Sequence, residues 1–158
     1  MATRGWPDDW DDRKAGRDCP LCAVLGDGDD DHAVAVTELP YAEVRLERRS
    51  RLPGYCIAVW RHGHVAEPTE LDDAAATGYW LDVTAVARAV DAEFHPVKLN
   101  LMTLGNWVPH LHTHVVPRYR DDPAPGGPIP WEAIFADRPT NPAVLRQQAA
   151  SLRRLLGG

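Results

Sequence analysis

Apolar and polar residues alternate in short stretches through the first half of the chain, and helical spacing takes over twice. Residues 32–37 and 42–47 alternate well enough for two partner strands, with a turn at Leu39-Pro40-Tyr41 between them. Residues 55–60 (Tyr-Cys-Ile-Ala-Val-Trp) form a continuous apolar run, the best candidate for a central strand, with Cys56 packed as a small hydrophobe. Tyr79, Val83, Val86, Val90 and Phe94 recur at three- and four-residue steps, which predicts one buried stripe on a long helix. Thr69 is its expected cap, Asp72 and Asp73 lie in its first turn, and Pro96 stops it. Gly78 inside it costs about 1 kcal/mol relative to alanine. Residues 97–103 read as a fourth strand. Residues 104–109 turn into a fifth, rich in histidine and valine. Past Asp121 the chain is rich in Pro and Gly, then offers a short helical turn at 131–135. A last helix starts at Asn141-Pro142, with Leu145, Leu152, Leu155 and Leu156 as its apolar face. Hairpin-like strands with one long intervening helix indicate an α+β fold.

Length and composition change this picture little. The 158 residues suit one core, and 44% hydrophobic residues is ordinary for a globular protein. There is no internal repeat. No apolar run reaches the roughly 18 residues of a membrane span, and the N-terminus lacks the apolar core of a signal peptide. Cytoplasmic location, with no membrane partner, is the expectation. A net charge of −6 argues against an extended nucleic-acid surface, despite a local cluster at Arg45, Arg48, Arg49 and Arg51. Residues 1–17 are acidic and read as irregular, with Trp6 and Trp10 as possible anchors. The acidic run at 27–31 reads as a solvated loop without EF-hand spacing. Cys19 and Cys22 form a Cys-x-x-Cys pair. It suits a metal site, or a redox motif if a long helix followed, but glycines and aspartates follow within a few residues.

The chemistry concentrates at His110, His112 and His114. At alternate positions of a strand they share one face and project as a row of imidazoles. Like charges so close depress one another's pKa, so neutral rings are expected at pH 7. A neutral imidazole is a competent nucleophile toward phosphorus once an acceptor holds its second nitrogen. The Gly105-Asn106 turn ahead of the row offers backbone N–H groups and an amide that suit phosphate oxygens.

The run His110-Leu-His112-Thr-His114-Val-Val resembles the histidine-triad (HIT) signature, with Thr113 in place of an apolar residue. The similarity runs from about residue 18 to residue 120. It implies an N-terminal extension at 1–17, a HIT domain at 18–120, and a C-terminal extension at 121–158 whose helix packs on the domain. It also implies a five-stranded antiparallel sheet with one long helix, a C-terminal helix and a zinc knuckle near the N-terminus. In activity it implies a hydrolase or transferase acting at the α-phosphate of an adenine or guanine nucleotide through a nucleotidyl-histidine. Dinucleoside polyphosphates and nucleoside phosphoramidates are candidate substrates. The alternatives are a dinucleotide phosphorylase or nucleotidylyltransferase, and a nucleotide-binding module with vestigial catalysis. By the resemblance His112 is the nucleophile and His114 donates to phosphate or leaving group. Asn100, Gly105 and Asn106 lie on the phosphate side, and Glu47 meets the ribose hydroxyls. Structural Zn2+ is bound by Cys19, Cys22, His64 and His110, with His62 a nearby competitor for His64. A homodimer through residues 97–103 and the long helix completes what the resemblance implies.

Overall fold

The computed structural model describes residues 5–128 and 130–158; the first four residues of the expected N-terminal extension, and residue 129 of the C-terminal one, lie outside them. Strands β1 (Ala33–Glu38), β2 (Ala42–Glu47), β3 (Cys56–Trp60), β4 (Lys98–Thr103) and β5 (His112–Arg118) form one antiparallel sheet in the order β1-β2-β3-β5-β4. The apolar run at 55–60 takes the centre, as its composition requires. The histidine strand also lies inside the sheet, between β3 and the edge strand β4.

The two faces of the sheet have different fates. Val34, Val36, Val44, Leu46, Cys56, Ala58 and Val115 pack under helices α3 (Asp73–Phe94) and α5 (Pro142–Leu155), forming the main core. By alternation and register, the opposite face carries Glu43, Arg45 and Glu47 of β2, Ile57 and Val59 of β3, Asn100 and Met102 of β4, and His112 and His114 of β5. The chemistry therefore sits on the face that no long helix covers. Two short helices, α1 (Trp10–Lys14) and α2 (Pro20–Val24), precede the sheet, and α4 (Trp131–Ile134) follows it.

The stripe on α3 buries Tyr79, Val83, Val86 and Val90 completely. Tyr79 is more than an apolar filler: its hydroxyl donates to the Ala58 carbonyl at 3.0 Å and shares a hydrogen bond with Thr113 Oγ1 at 2.8 Å. This explains the hydroxyl at Thr113, where an apolar residue was expected. Gly78 has a packing reason that propensity does not reveal. A Cβ at that position would come within 2.1 Å of the Tyr41 ring, so alanine would force that ring to move although it favours helix.

Four details depart from the sequence reading. Asp72, not Thr69, caps α3 by accepting from the Ala75 N–H at 2.8 Å. Pro68 starts a separate turn over Pro68–Glu70, closed by the Glu67 and Glu70 side chains, and Thr69 is used up inside it. Residues 1–17 are not irregular throughout, because α1 forms. Trp6 is 65% exposed, with its ring tilted against that of Trp10; among the described residues the segment is held through Arg13, whose Nη1 donates to the Trp107 carbonyl at 3.3 Å. On α5, Leu145, Ala149 and Leu152 are buried and Leu156 joins the core. Leu155 falls off that face and stays exposed. Finally, β5 begins at His112, so His110 lies before the strand, and the row in register has two members. Among the described residues, no helix is long and apolar enough to cross a membrane.

Candidate active site and metal centre

The Cys-x-x-Cys pair opens α2. Cys19 is its N-cap, Pro20 holds the first helical position, and the Cys22 N–H donates to the Cys19 thiol sulfur at 3.5 Å. One tight turn therefore turns both sulfurs the same way. They meet His110, whose Nδ1 is 3.5 Å from Cys19 Sγ and 3.3 Å from Cys22 Sγ; His64 Nδ1 is 3.6 Å from Cys22 Sγ. The four ligand atoms all lie within 4.8 Å of one another. Both rings are held in the same manner, although they lie nearly perpendicular to each other. His110 Nε2 donates to the Trp60 carbonyl at 2.8 Å and His64 Nε2 to the Lys14 carbonyl at 3.0 Å. A carbonyl can only accept, so each Nδ1 is left bare and turned toward the sulfurs. Gly16 permits the approach of His64, because a Cβ there would lie 2.8 Å from its ring and the backbone has φ +84°.

His62 is not a competitor for this cluster. Its Nε2 bonds the Pro40 carbonyl at 2.7 Å and its ring packs edgewise on Tyr41 and Trp60. The five-residue α2 also removes the long helix that a thioredoxin-type motif needs. Two soft sulfurs and two imidazole nitrogens make a closed tetrahedral donor set. Without a cation, burial and the neighbouring Cys19 push the Cys22 thiol up to about 11. A bound divalent ion would reverse that by its own charge.

His112 Nδ1 donates to the His110 carbonyl at 2.6 Å, which leaves Nε2 as the bare nitrogen. The His114 ring lies 4.9 Å from the His112 ring, at a steep angle. His114 Nδ1 is 2.8 Å from the Tyr55 hydroxyl, and Trp131 of α4 packs edgewise on the ring at 5.4 Å. All three triad rings are held below their ordinary pKa. Burial is the largest cause in each case; for His110 the bond to the Trp60 carbonyl opposes it and the charges of His64 and His112 add to it, and for His114 the charge of His112 adds to it. The rings are neutral at pH 7, as expected, but chiefly through desolvation rather than mutual repulsion.

The remaining expected residues fall on β4, in the loop before the triad and at the end of β2. Asn100 is on the histidine face of β4, opposite Val116, and its Oδ1 accepts from Arg118 Nη1 at 3.0 Å. Arg118 also grips Asp122 through two bonds of 2.6 and 3.0 Å and holds that carboxyl down at about 2. Gly105 adopts φ +73° in the loop before the triad, and Asn106 is exposed. Glu47 ends β2, accepts from the Arg49 N–H at 3.0 Å, and has its pKa raised by burial. No hydrogen bond joins Glu47 to the triad.

Two sequence readings change here. The acidic run is not simply solvated: Asp30 accepts from Arg45 at 2.9 Å and Asp29 from Arg48 at 3.0 Å. The same bonds consume half of the arginine cluster. Arg45 is almost wholly buried beside Glu43. Tyr55 and Trp131 were not anticipated next to the triad. Tyr55 read as one more apolar strand residue, and no local pattern ties either position to His114.

A five-stranded antiparallel sheet with paired histidines on its open face and a Cys-x-x-Cys cluster beside them defines a histidine-triad architecture. The HIT domain family model matches residues 30–121, more than half of the chain, and the chain belongs to the HIT family. Among curated proteins, Protein hit of Bacillus subtilis is 36% identical over 61 residues, which span 35% of this chain and 42% of that relative. A histidine triad protein of Marinobacter aquaeolei superposes with a TM-score of 0.69 at 26% identity, covering 78% of this chain and 88% of that one. One from Sinorhizobium meliloti gives 0.70 at 25%, covering 77% and 88%. A Zn-bound histidine triad family protein of Mycobacterium smegmatis shares the fold at 0.62 and 22% identity, covering 87% and 92%.

The environment of His114 predicts acid sensitivity. Burial and His112 lower its pKa from 6.5 to about 4 in the folded chain. Below about pH 6.5 the unfolded chain takes up a proton that the folded chain refuses, so stability is lost as pH falls toward 4 and the loss levels off below. Wild type should lose about 3 kcal/mol more than His114→Asn across that window. Urea midpoints from pH 7 down to pH 4 measure the difference; parallel curves would show that His114 titrates normally.

Proposed function

We propose that this chain is a HIT-type nucleotide hydrolase or nucleotidyltransferase acting at an α-phosphate. The observation that carries the reading is the hydrogen bonding of His112, with Nδ1 committed to a carbonyl and Nε2 bare beside a second neutral imidazole. His112 Nε2 attacks phosphorus, the bond to the leaving group breaks, and a nucleotidyl-histidine forms. His114 gives a hydrogen bond to the departing atom, which leaves with the electron pair of the broken bond. Water then attacks phosphorus, His112 leaves, and the nucleoside monophosphate is released; a non-water acceptor would make the reaction a transfer. Asn100, Gly105 and Asn106 serve the phosphate oxygens and Glu47 the ribose. Dinucleoside polyphosphates and nucleoside phosphoramidates fit this chemistry.

Zinc is the ion we assign to Cys19, Cys22, His64 and His110. The closed Cys2His2 donor set supports it, and so does the Zn-bound Mycobacterium smegmatis relative. When bound, zinc supplies a structural cross-link between the N-terminal segment, the loop after β3 and the residue before the triad strand. We further propose a homodimer built on the β4 edge and α3. That edge has no further strand beside it among the described residues, and Leu81, Trp80, Val97 and Leu101 are exposed around it.

Purified protein should carry about one zinc per chain, and Cys19→Ala should lose the metal. The variant should also melt ten degrees or more lower, since structural zinc contributes on the order of 10 kcal/mol and each kcal/mol is worth about 2–4 °C in a domain this size. Wild type that takes up no zinc, or that melts no higher than the variant when loaded with zinc, would overturn the assignment. Sedimentation at micromolar concentration should give a dimer; monomer alone would reject that surface. His112→Asn should abolish turnover of an activated adenylate while adenosine monophosphate still binds. His114→Asn should cost about 10²–10³-fold. Wild type quenched during turnover should carry an acid-labile nucleotide on His112; a nucleotide mapped to His114, or half-activity in His112→Asn, would refute the mechanism.

A further inference from the structure

Tyr55 stands just before β3, and its ring is almost wholly buried against His114 and Phe135. Its hydroxyl lies 2.8 Å from His114 Nδ1 and has no other hydrogen-bond partner among the described residues. A buried O–H left without an acceptor costs about 1–3 kcal/mol, so the phenol must give its proton to something. The one acceptor within reach is Nδ1. A neutral imidazole accepting at Nδ1 carries its own hydrogen at Nε2.

We infer that Tyr55 is a positioning residue that locks His114 in the Nε2–H tautomer, opposite to the Nδ1–H tautomer of His112. The two neighbouring rings then differ in kind. His112 offers a bare Nε2, fit to attack; His114 offers an Nε2–H, fit to donate. The contrast arises because His112 Nδ1 faces a carbonyl, which can only accept, whereas His114 Nδ1 faces a hydroxyl that must donate. Burial and the nearby charge of Glu47 raise the pKa of the phenol, so it keeps the proton it donates. Without Tyr55, His114 could place its hydrogen on Nδ1 and present a second lone pair, where the proposed reaction needs a donor. The inference rests on the proposed function for its consequence, but not for the tautomer itself.

The test is nitrogen NMR of histidine-labelled protein near neutral pH, where a protonated ring nitrogen is distinguished from a bare one. In wild type, His114 should carry its hydrogen on Nε2 and His112 on Nδ1. Tyr55→Phe keeps the ring and its contacts and removes only the hydroxyl. In that variant His114 should lose its single tautomer while His112 keeps its own. Turnover should fall roughly 10–100-fold, the range for groups that orient a functional histidine, with little change in KM. A wild-type His114 protonated on Nδ1 would overturn the inference, and so would a variant unchanged in tautomer or in turnover. If Tyr55→Phe fails to fold, the wild-type spectrum decides. A chain that turns over no activated adenylate would defeat the proposed function, while the spectrum would still test Tyr55.

Discussion

His110 is bonded at three points, and most of the site depends on them. Its Nε2 is tied to the Trp60 carbonyl of β3, its Nδ1 faces both thiols, and its own carbonyl holds Nδ1 of His112. One residue just outside a strand thus joins the central sheet, the cysteine cluster and the candidate nucleophile. The same geometry selects a tautomer for two histidines at once. A shift of this backbone would release both, which makes the cysteine cluster and the histidine pair a single mechanical unit.

The open face of the sheet is kept polar by charges that are paired, not free. Arg45 lies buried under the loop at residues 24–31, bonded to Glu43, Asp30 and the carbonyls of Val24 and Gly28. Arg118 does the same at the other end, gathering Asp122, Asn100 and the carbonyls of Ala124 and Gly127. Buried guanidinium groups are tolerated only with such full satisfaction. Each arginine pins an irregular segment across the sheet, and the histidine pair lies between the two clamps. Trp131 and Phe135, stacked on each other, close the side nearest His114 and Tyr55.

Much of this was legible along the chain. The five strands, the α3 stripe, the Asn141-Pro142 start of α5 and the Cys-x-x-Cys turn all rest on local periodicity or local hydrogen bonding, which a sequence displays directly. The misreadings were local competitions. Thr69 and Asp72 could each cap a helix, and Pro68 decided between them by opening its own turn. Leu155 lay one residue off a face that Leu145, Leu152 and Leu156 define.

By itself the sequence determined that His112, His114 and Asn100 would lie on strands, because spacing and strand propensity put them there, while only the family resemblance tied Cys19 and Cys22 to them. Only the tertiary structure decided what each ring nitrogen does. His64 rather than His62 joins the sulfurs because Lys14, fifty residues earlier, supplies the carbonyl and Gly16 the space. Tyr55 meets His114 because β3 and β5 pair in one register, 59 residues apart. Such contacts leave no periodic trace, since the chain is free between them. A hydrogen bond fixes a proton only when both partners have been brought within about 3 Å, and folding alone does that.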